Sequence, residues 1–398
     1  MKIGLFNDSF PPTIDGVANA VVNYARILSD LGDAVTVVTP KYPHVEDDYP
    51  FEVYRYQSAR FPGEMPYRVG NPMSPAAVRE VYKKKFDIMH VHSPWASSVI
   101  AHEAALLSRK RVPTVLTYHT KFDVDIDRYL QNRRFNTIAR KFVLTNVKYA
   151  DEVWTVSAGT IPSLRTIGYQ GDVVIMPNGT DFPRAKASRE AIAEVDRIYR
   201  TEKEELIFLY CGRMMWYKNI QIILDTLKNI AGEGIAFKAF FVGDSPDRGS
   251  IEAYARKAGL SDRIFFTGAV TDRERVRAFF SRADLLLFPS TYDTNGLVVN
   301  EAAACGCASA LIAGSCAAEG VTDGETGLLS PTEDAEGFTA TVLAAVRRKG
   351  FLKKLGLAAQ EKVYFSWEDS VTAARKRYET LLEDFQKKEE RKEKRSKK

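Results

Sequence analysis

At 398 residues the chain is too long for one ordinary hydrophobic core, so two domains are expected. A hydrophobic content of 45 % beside 27 % charged residues fits a water-soluble globular protein, and no apolar run is long enough to predict a membrane-spanning helix. The net charge of +5 is modest, so where the basic residues cluster matters more than their number.

The N-terminus MKIGLFND enters a strand at once, without the basic and apolar regions of a secretory leader. Cys211, Cys305, Cys307 and Cys316 are spaced neither as a zinc ribbon nor as a disulfide framework, so reduced thiols in the cytoplasm are expected. Short apolar runs at 3–6, 34–39, 51–54, 88–91, 114–117, 152–156 and 173–176 read as strands. Residues 16–31 carry helical periodicity through Val17, Val21, Tyr24 and Leu28. Buried strands spaced by helices predict a parallel sheet with helices on both faces, and in such sheets ligands bind beyond the carboxyl ends of the strands.

Three features of this half sit at such ends. Asp15-Gly16 opens the first helix, where a glycine permits close backbone approach and a helix start favours an anion. His119 follows the 114–117 strand and can serve a substrate hydroxyl, help position a second substrate, or simply close a loop. His90 and His92 flank another strand end; with no third ligand in view they are read as structural or site-lining, and no metal is expected. Residues 128–150 then interleave Arg128, Arg133, Arg134, Arg140, Lys141 and Lys148 with Tyr129, Leu130, Phe135, Ile138, Phe142 and Val143. A basic helix with such partners suits an anionic lipid surface, and Lys83–Lys85 and the aromatic-rich 50–72 loop would widen it. A solvated charged face on a core-packed helix is the alternative. No recognised nucleic-acid module is present.

MPNGTDF at 176–182 reads as a strand end and linker, and 188–202 as a helix. A second series of strands follows at 206–210, 237–242, 264–267, 285–288 and 309–311. Arg213 and Lys218 come directly after the first of these, where two cations suit a diphosphate leaving group. The stretch PSTYDTNGLVVNEAAACG at 289–306 reads as strand end, loop and helix, with Asn295 or Thr294 as N-cap and Gly306 at the C-cap glycine position. Asp293 lies just before that helix and Glu301 about two turns inside it, with the positive helix end between them at Asn295, Gly296 and Leu297. GSCAAEGVTDGETG at 314–327 is a turn-rich loop. Ser366 and Asp369 form a capping pair for a last helix with the stripe Val371, Ala374, Tyr378, Leu381 and Phe385, followed by a basic tail expected to be a frayed helix or disordered.

The two acids separated by seven residues in a strand–loop–helix resemble the signature of glycosyltransferase family 4, whose enzymes have the GT-B fold. Gly16, His119, Arg213, Lys218, Asp293 and Glu301 fall in the family's order. The resemblance implies an α/β chain of two doubly wound Rossmann-like domains with a cleft between them. Residues 1–180 would take the acceptor, 181–365 would bind a nucleotide sugar, the helix at 366–386 would cross back onto the first domain, and 387–398 would be the tail. It implies that Asp293 contacts donor-sugar hydroxyls, that Glu301 holds the ribose, and that Arg213 and Lys218 contact the pyrophosphate. Gly16 would lie near the donor phosphates, His119 near the reacting sugar, and Val270, in TGAV, near the nucleobase. Asp293 is one methylene shorter than the family's usual glutamate, and Asp15-Gly16 stands where Gly-Gly is frequent. HTKFDVDIDRY at 119–129 resembles a segment of bacterial diacylglycerol glucosyltransferases. The implied activity is a retaining, metal-independent hexosyl transfer from a UDP-sugar, with glucose expected as the sugar. The expected acceptor is a membrane lipid such as diacylglycerol, reached by peripheral contact with the inner face of the cell membrane. A soluble or polysaccharide acceptor, a nucleotide-sugar isomerase and a non-catalytic sugar-nucleotide sensor are the alternatives.

Overall fold

The structure is a computed structural model that describes residues 1–13, 15–60, 68–108, 112–130, 132–202 and 205–396, the side chains of 389 and 391–396 excepted. The 61–67 part of the aromatic-rich loop and the last two residues of the basic tail lie outside them. The chain forms two compact units, Met1–Asn178 with Trp367–Lys398, and Gly179–Ser366.

The first unit is built on strands β1 (Lys2–Phe6), β2 (Ala34–Pro40), β3 (Glu52–Tyr56), β6 (Ile88–Val91), β7 (Thr114–Tyr118), β8 (Glu152–Thr155) and β9 (Val174–Ile175), with a short antiparallel hairpin of β4 (Ser58–Arg60) and β5 (Arg68–Gly70). The seven-stranded sheet is parallel in the order β3-β2-β1-β6-β7-β8-β9, so strand order reverses between β1 and β6. Its helices are α1 (Gly16–Asp30), α2 (Pro75–Lys84), α3 (Ala96–Leu107), α4 (Phe122–Tyr129), α5 (Arg133–Tyr149) and α6 (Ile161–Thr166). The central strands are apolar runs rather than alternations because helices cover both sheet faces: β6 and all but the first residue of β1 are buried.

The second unit holds α7 (Arg189–Tyr199), β10 (Leu206–Cys211), α8 (Ile220–Gly232), β11 (Phe237–Val242), α9 (Arg248–Lys257), β12 (Ile264–Gly268), α10 (Arg273–Arg282), β13 (Leu285–Leu287), α11 (Leu297–Ala304), β14 (Ala308–Ile312), β15 (Leu328–Ser330), α12 (Ala335–Val346) and α13 (Phe351–Lys362). Its parallel sheet runs β12-β11-β10-β13-β14-β15 and reverses between β10 and β13. Each unit is therefore doubly wound, as the alternation of apolar strands and helices predicts.

The last helix, α14 (Trp367–Ser396), belongs to the first unit, where it packs on α1. Its predicted stripe is buried throughout, from Val371 to Phe385. The helix continues ten residues beyond 386, through most of the segment expected to fray or be disordered. The basic segment at 128–150 is two helices rather than one. Leu130 is extended and Asn132 caps α5, its side chain accepting from Arg134 N–H at 2.9 Å, so a new helix start wins over continuation. No helix among the described residues is long and apolar enough to cross a membrane.

Candidate functional site

The reversal between β10 and β13 places the carboxyl ends of these strands side by side in the second unit. Beyond β10 the backbone turns through Gly212, with φ at +136°, and Gly243 beyond β11 has φ at +140°. Gly212 N–H donates to Val242 O at 2.9 Å and Gly243 N–H to Gly268 O at 3.0 Å. A Cβ on Gly243 would lie 2.0 Å from the Gly212 carbonyl oxygen, so the close approach of these strand ends needs glycine there. Arg213 stands exposed beside this floor, its own carbonyl accepting from the Tyr210 hydroxyl at 2.7 Å.

Lys218 ends a single turn of 3-10 helix and is only 7 % exposed. Its ammonium meets Asp293 Oδ1 at 2.7 Å, and Ser290 Oγ donates to Asp293 Oδ2 at 2.5 Å. A buried cation needs such a partner, because its desolvation is otherwise uncompensated. The cation expected at the diphosphate and the acid expected at the sugar are thus one ion pair, which sequence spacing does not show.

Helix α11 begins one residue after Gly296, which has φ at +62° and is its N-cap; neither Asn295 nor Thr294 holds that position. A Cβ on Gly296 would come within 2.8 Å of Ala317, so both conformation and space select glycine. Glycine brings no side-chain acceptor, and the first N–H groups of α11 have no side-chain cap. The first unit's α1 contrasts with this. There the Asp15 carboxylate accepts from Val17 N–H at 2.9 Å and Ala18 N–H at 2.8 Å, occupying the anion position that Gly16 was expected to open. A Cβ on Gly16 would meet nothing within 4 Å, so the fold itself gives no steric reason for that glycine.

Glu301 is the fifth residue of α11, little more than one turn inside, because the helix starts later than its sequence predicts. Arg273, at the start of α10, donates from Nη2 to Glu301 Oε1 at 2.8 Å, pairs also with Asp181, and lies over the Phe182 ring at 4.3 Å. Burial raises the Glu301 carboxyl above its usual range, and the Arg273 charge opposes that shift. Sequence reasoning missed Arg273: DRERVR reads as an ordinary charged helix start, and nothing local marks its partner 28 residues on. Val270 lies two residues beyond β12, half-buried against the core. Gly306 has φ at +71° just past α11, as its C-cap position predicts.

In the first unit, His92 and His119 follow β6 and β7 and join ring to ring, His92 Nδ1 to His119 Nε2 at 2.9 Å. Burial holds His119 down to about 3, so it is a neutral hydrogen-bonding group at physiological pH. His90 bonds Tyr378 of α14 through Nδ1 at 2.5 Å and Thr117 through Nε2 at 2.6 Å. No cluster among the described residues is placed to hold a metal ion. Beside them Asp8, unremarked in the sequence, accepts from Ser97 N–H at 3.0 Å and Tyr56 OH at 3.2 Å, and burial raises its carboxyl.

Of the basic surface residues, Arg128, Arg133, Arg134 and Lys141 are exposed, while Arg140 is half-buried and paired with Asp127 at 2.5 Å. Along α5, Phe135, Ile138 and Phe142 are 61 %, 62 % and 38 % exposed, so this face is not core-packed. The lysines at 83 and 84 pair with Glu80 and Glu52, which reduces what α2 can add to a basic face.

Two family profiles match the chain: Glycosyltransferase Family 4 over residues 14–184 and Glycosyl transferases group 1 over 192–362. An alpha-monoglucosyldiacylglycerol synthase of Streptococcus pneumoniae is 23 % identical over 77 % of this chain and 70 % of its own length. An N-acetyl-alpha-D-glucosaminyl L-malate synthase of Bacillus anthracis is 23 % identical over 96 % of this chain and 97 % of its own. Among solved structures, Anabaena Alr3699/HepE in complex with UDP and glucose superposes with a TM-score of 0.74 at 18 % identity, covering 96 % of this chain and 99 % of that one. Two doubly wound units, the paired acids at the second unit's switch point and the two matching profiles make this chain a GT-B glycosyltransferase of family 4, similar to bacterial diacylglycerol glucosyltransferases.

Proposed function

We propose that the protein is a retaining hexosyltransferase that moves glucose from UDP-glucose to a membrane lipid, diacylglycerol in the first instance, without a metal ion. The observation that carries the donor site is the uncapped start of α11, set at the β10/β13 switch point between the Lys218–Asp293 and Arg273–Glu301 pairs. A diphosphate meets a helix start that no side chain caps and draws on the Arg213 and Lys218 charges, which offset the negative charge that grows as the nucleoside diphosphate departs. Asp293 then serves the sugar hydroxyls and Glu301 the ribose, with Asn295, Gly296 and Leu297 presenting backbone and Val270 bordering the base. In this reading a diphosphate oxygen takes the acceptor's proton on the face from which the leaving group departs, so no side chain has to be a covalent nucleophile. On the first unit, His119 is the group assigned to a substrate hydroxyl, and Gly16 leaves room for ligand backbone contact.

Two things support the lipid. One is that the pneumococcal relative is a monoglucosyldiacylglycerol synthase; the other is the exposed Phe135–Ile138–Phe142 ridge flanked by Arg133, Arg134 and Lys141. The protein would then work peripherally at the cytoplasmic membrane face. A soluble acceptor is the second reading, supported by the malate synthase that aligns over nearly the whole chain.

The test is purified protein with UDP-glucose, with and without diacylglycerol in anionic vesicles, reading UDP released and glycolipid formed. Lipid-dependent release with a glucosyl lipid of retained anomeric configuration, unchanged by chelator, supports the proposal. Release indifferent to lipid moves the acceptor to soluble compounds, malate among them. No release calls for other donors, starting with GDP-mannose, the donor named for a Corynebacterium glutamicum relative.

A further inference from the structure

We infer that His92 is a positioning residue that fixes the tautomer of His119, so that His119 meets its substrate as an Nδ1–H donor and not as a proton acceptor through Nε2. The inference rests on His119 serving a substrate oxygen, as proposed above.

The number of protons on the two rings decides the tautomer. Both rings are buried, and burial disfavours charge on each, so the pair is neutral and each imidazole carries one N–H. One of the two protons lies in the 2.9 Å contact between His92 Nδ1 and His119 Nε2. Two assignments exist. If His119 donates from Nε2, His92 Nδ1 is the acceptor and the His92 proton must sit on Nε2. That atom is buried and has no hydrogen-bond partner, so this assignment strands an N–H donor. If His92 donates from Nδ1, its Nε2 is a bare lone pair and the stranded group is an acceptor. Orphaned buried donors are much rarer than under-used acceptors, so the second assignment wins.

Its consequence is chemical. With Nε2 of His119 already accepting from His92, the proton of His119 must be on Nδ1. His119 can then donate to a hydroxyl, phosphate or ring oxygen but cannot take a proton from an acceptor hydroxyl through Nε2. The surroundings hold the donor ring in place. His92 packs against His90 at a tilt of 36°, with centroids 3.9 Å apart, and Tyr24 meets it edge-on at 5.1 Å. His90 is itself pinned by Tyr378 and Thr117. The spacing of His90 and His92 at i, i+2 puts both rings on one side of the chain at the end of β6, which makes this contact possible.

The experiment is long-range 1H–15N spectroscopy of the full-length protein labelled at histidine, at neutral pH. Only five histidines are present, and a His119→Ala variant assigns the signal. The wild type should show His119 as the Nδ1–H tautomer. His92→Phe keeps the stacked ring but removes the donor, and His119 should shift toward a mixture of tautomers, with kcat down about tenfold, the worth of one hydrogen bond. His92→Asn returns an N–H near the Nδ1 position and should restore both tautomer and rate to within roughly threefold. A wild-type His119 protonated at Nε2 overturns the inference outright. So does a slow His92→Phe enzyme whose His119 tautomer is unchanged, since that is the mark of a packing role alone. If His119→Ala leaves turnover intact, the assigned role of His119 fails, while the spectrum still decides whether His92 sets its proton.

Discussion

Replacing Arg273 by Met tests whether Glu301 is held in its charged form by a neighbour that sequence spacing does not reveal. The variant keeps most of the volume over Phe182 and removes the guanidinium that bridges Asp181 and Glu301. Breaking one partner of a fully buried pair costs about 3–5 kcal/mol. Here the Arg273 side chain is 45 % exposed and Glu301 17 %, so solvent screens the loss and about 1–3 kcal/mol is the better figure. For a unit of this size that lowers Tm by roughly 3–10 °C. The pH dependence carries the diagnosis. Burial already raises the Glu301 pKa above 4.5, so its carboxyl gives up stability as pH rises from about 4.5 through the folded value. Without Arg273 the folded value climbs further and the losing window extends upward. The Tm difference between variant and wild type should therefore be small near pH 4 and grow toward pH 7, and Arg273→Lys should recover part of it. Donor KM should rise about tenfold at pH 7, as an uncharged Glu301 would lose the charged hydrogen bond proposed to the ribose. A Tm gap that is flat with pH, or a donor KM that does not move, would refute the reasoning.

Other substitutions separate folding from ligand contact. Arg213→Ala should lower kcat more than tenfold with little change in Tm, since a charge contact made at the departing diphosphate is worth about 2–4 kcal/mol; unchanged turnover would sink the donor-site assignment. Gly296→Ala should lose at least about 1–2 kcal/mol from its left-handed backbone alone, with a further penalty from the contact with Ala317, and calorimetry beside UDP titration would show both. Gly16→Ala should leave Tm within about 1 °C, because its Cβ meets only open space, so any drop in activity there would report ligand approach. Phe135→Ser with Ile138→Ser should abolish flotation with anionic vesicles without lowering Tm, both side chains being mostly exposed; retained flotation would remove α5 from the membrane reading.

The parallel sheets were legible because buried strands between helices are written as short apolar runs, and 88–91 and 237–242 match the observed strands residue for residue. What stayed hidden was of two kinds. Short elements lack a period to read: β15 has three residues, and so has each strand of the β4/β5 hairpin. Partnerships across the fold leave no local trace. Lys218 and Asp293 were each recognisable as functional residue types, yet their pairing over 75 positions depends on β10 and β13 being neighbours, which only the sheet order decides. The same holds for Arg273 with Glu301 and for His92 with His119.

The two helix starts show why local chemistry must be read with its cap. Both α1 and α11 follow a strand at a switch point, and by dipole alone each attracts an anion. At α1 the residue before the helix is Asp15, and the protein supplies the anion itself, tying down two N–H groups and accepting from Ser9 besides. At α11 the corresponding residue is Gly296, which carries no acceptor and cannot be enlarged without meeting Ala317. One start is closed by a carboxylate and the other is kept open by steric selection for glycine. The open one, with no side chain capping it, lies beside a buried lysine and an exposed arginine, which is the setting the proposed diphosphate site draws on. At α1 a diphosphate would first have to displace a covalently tethered competitor.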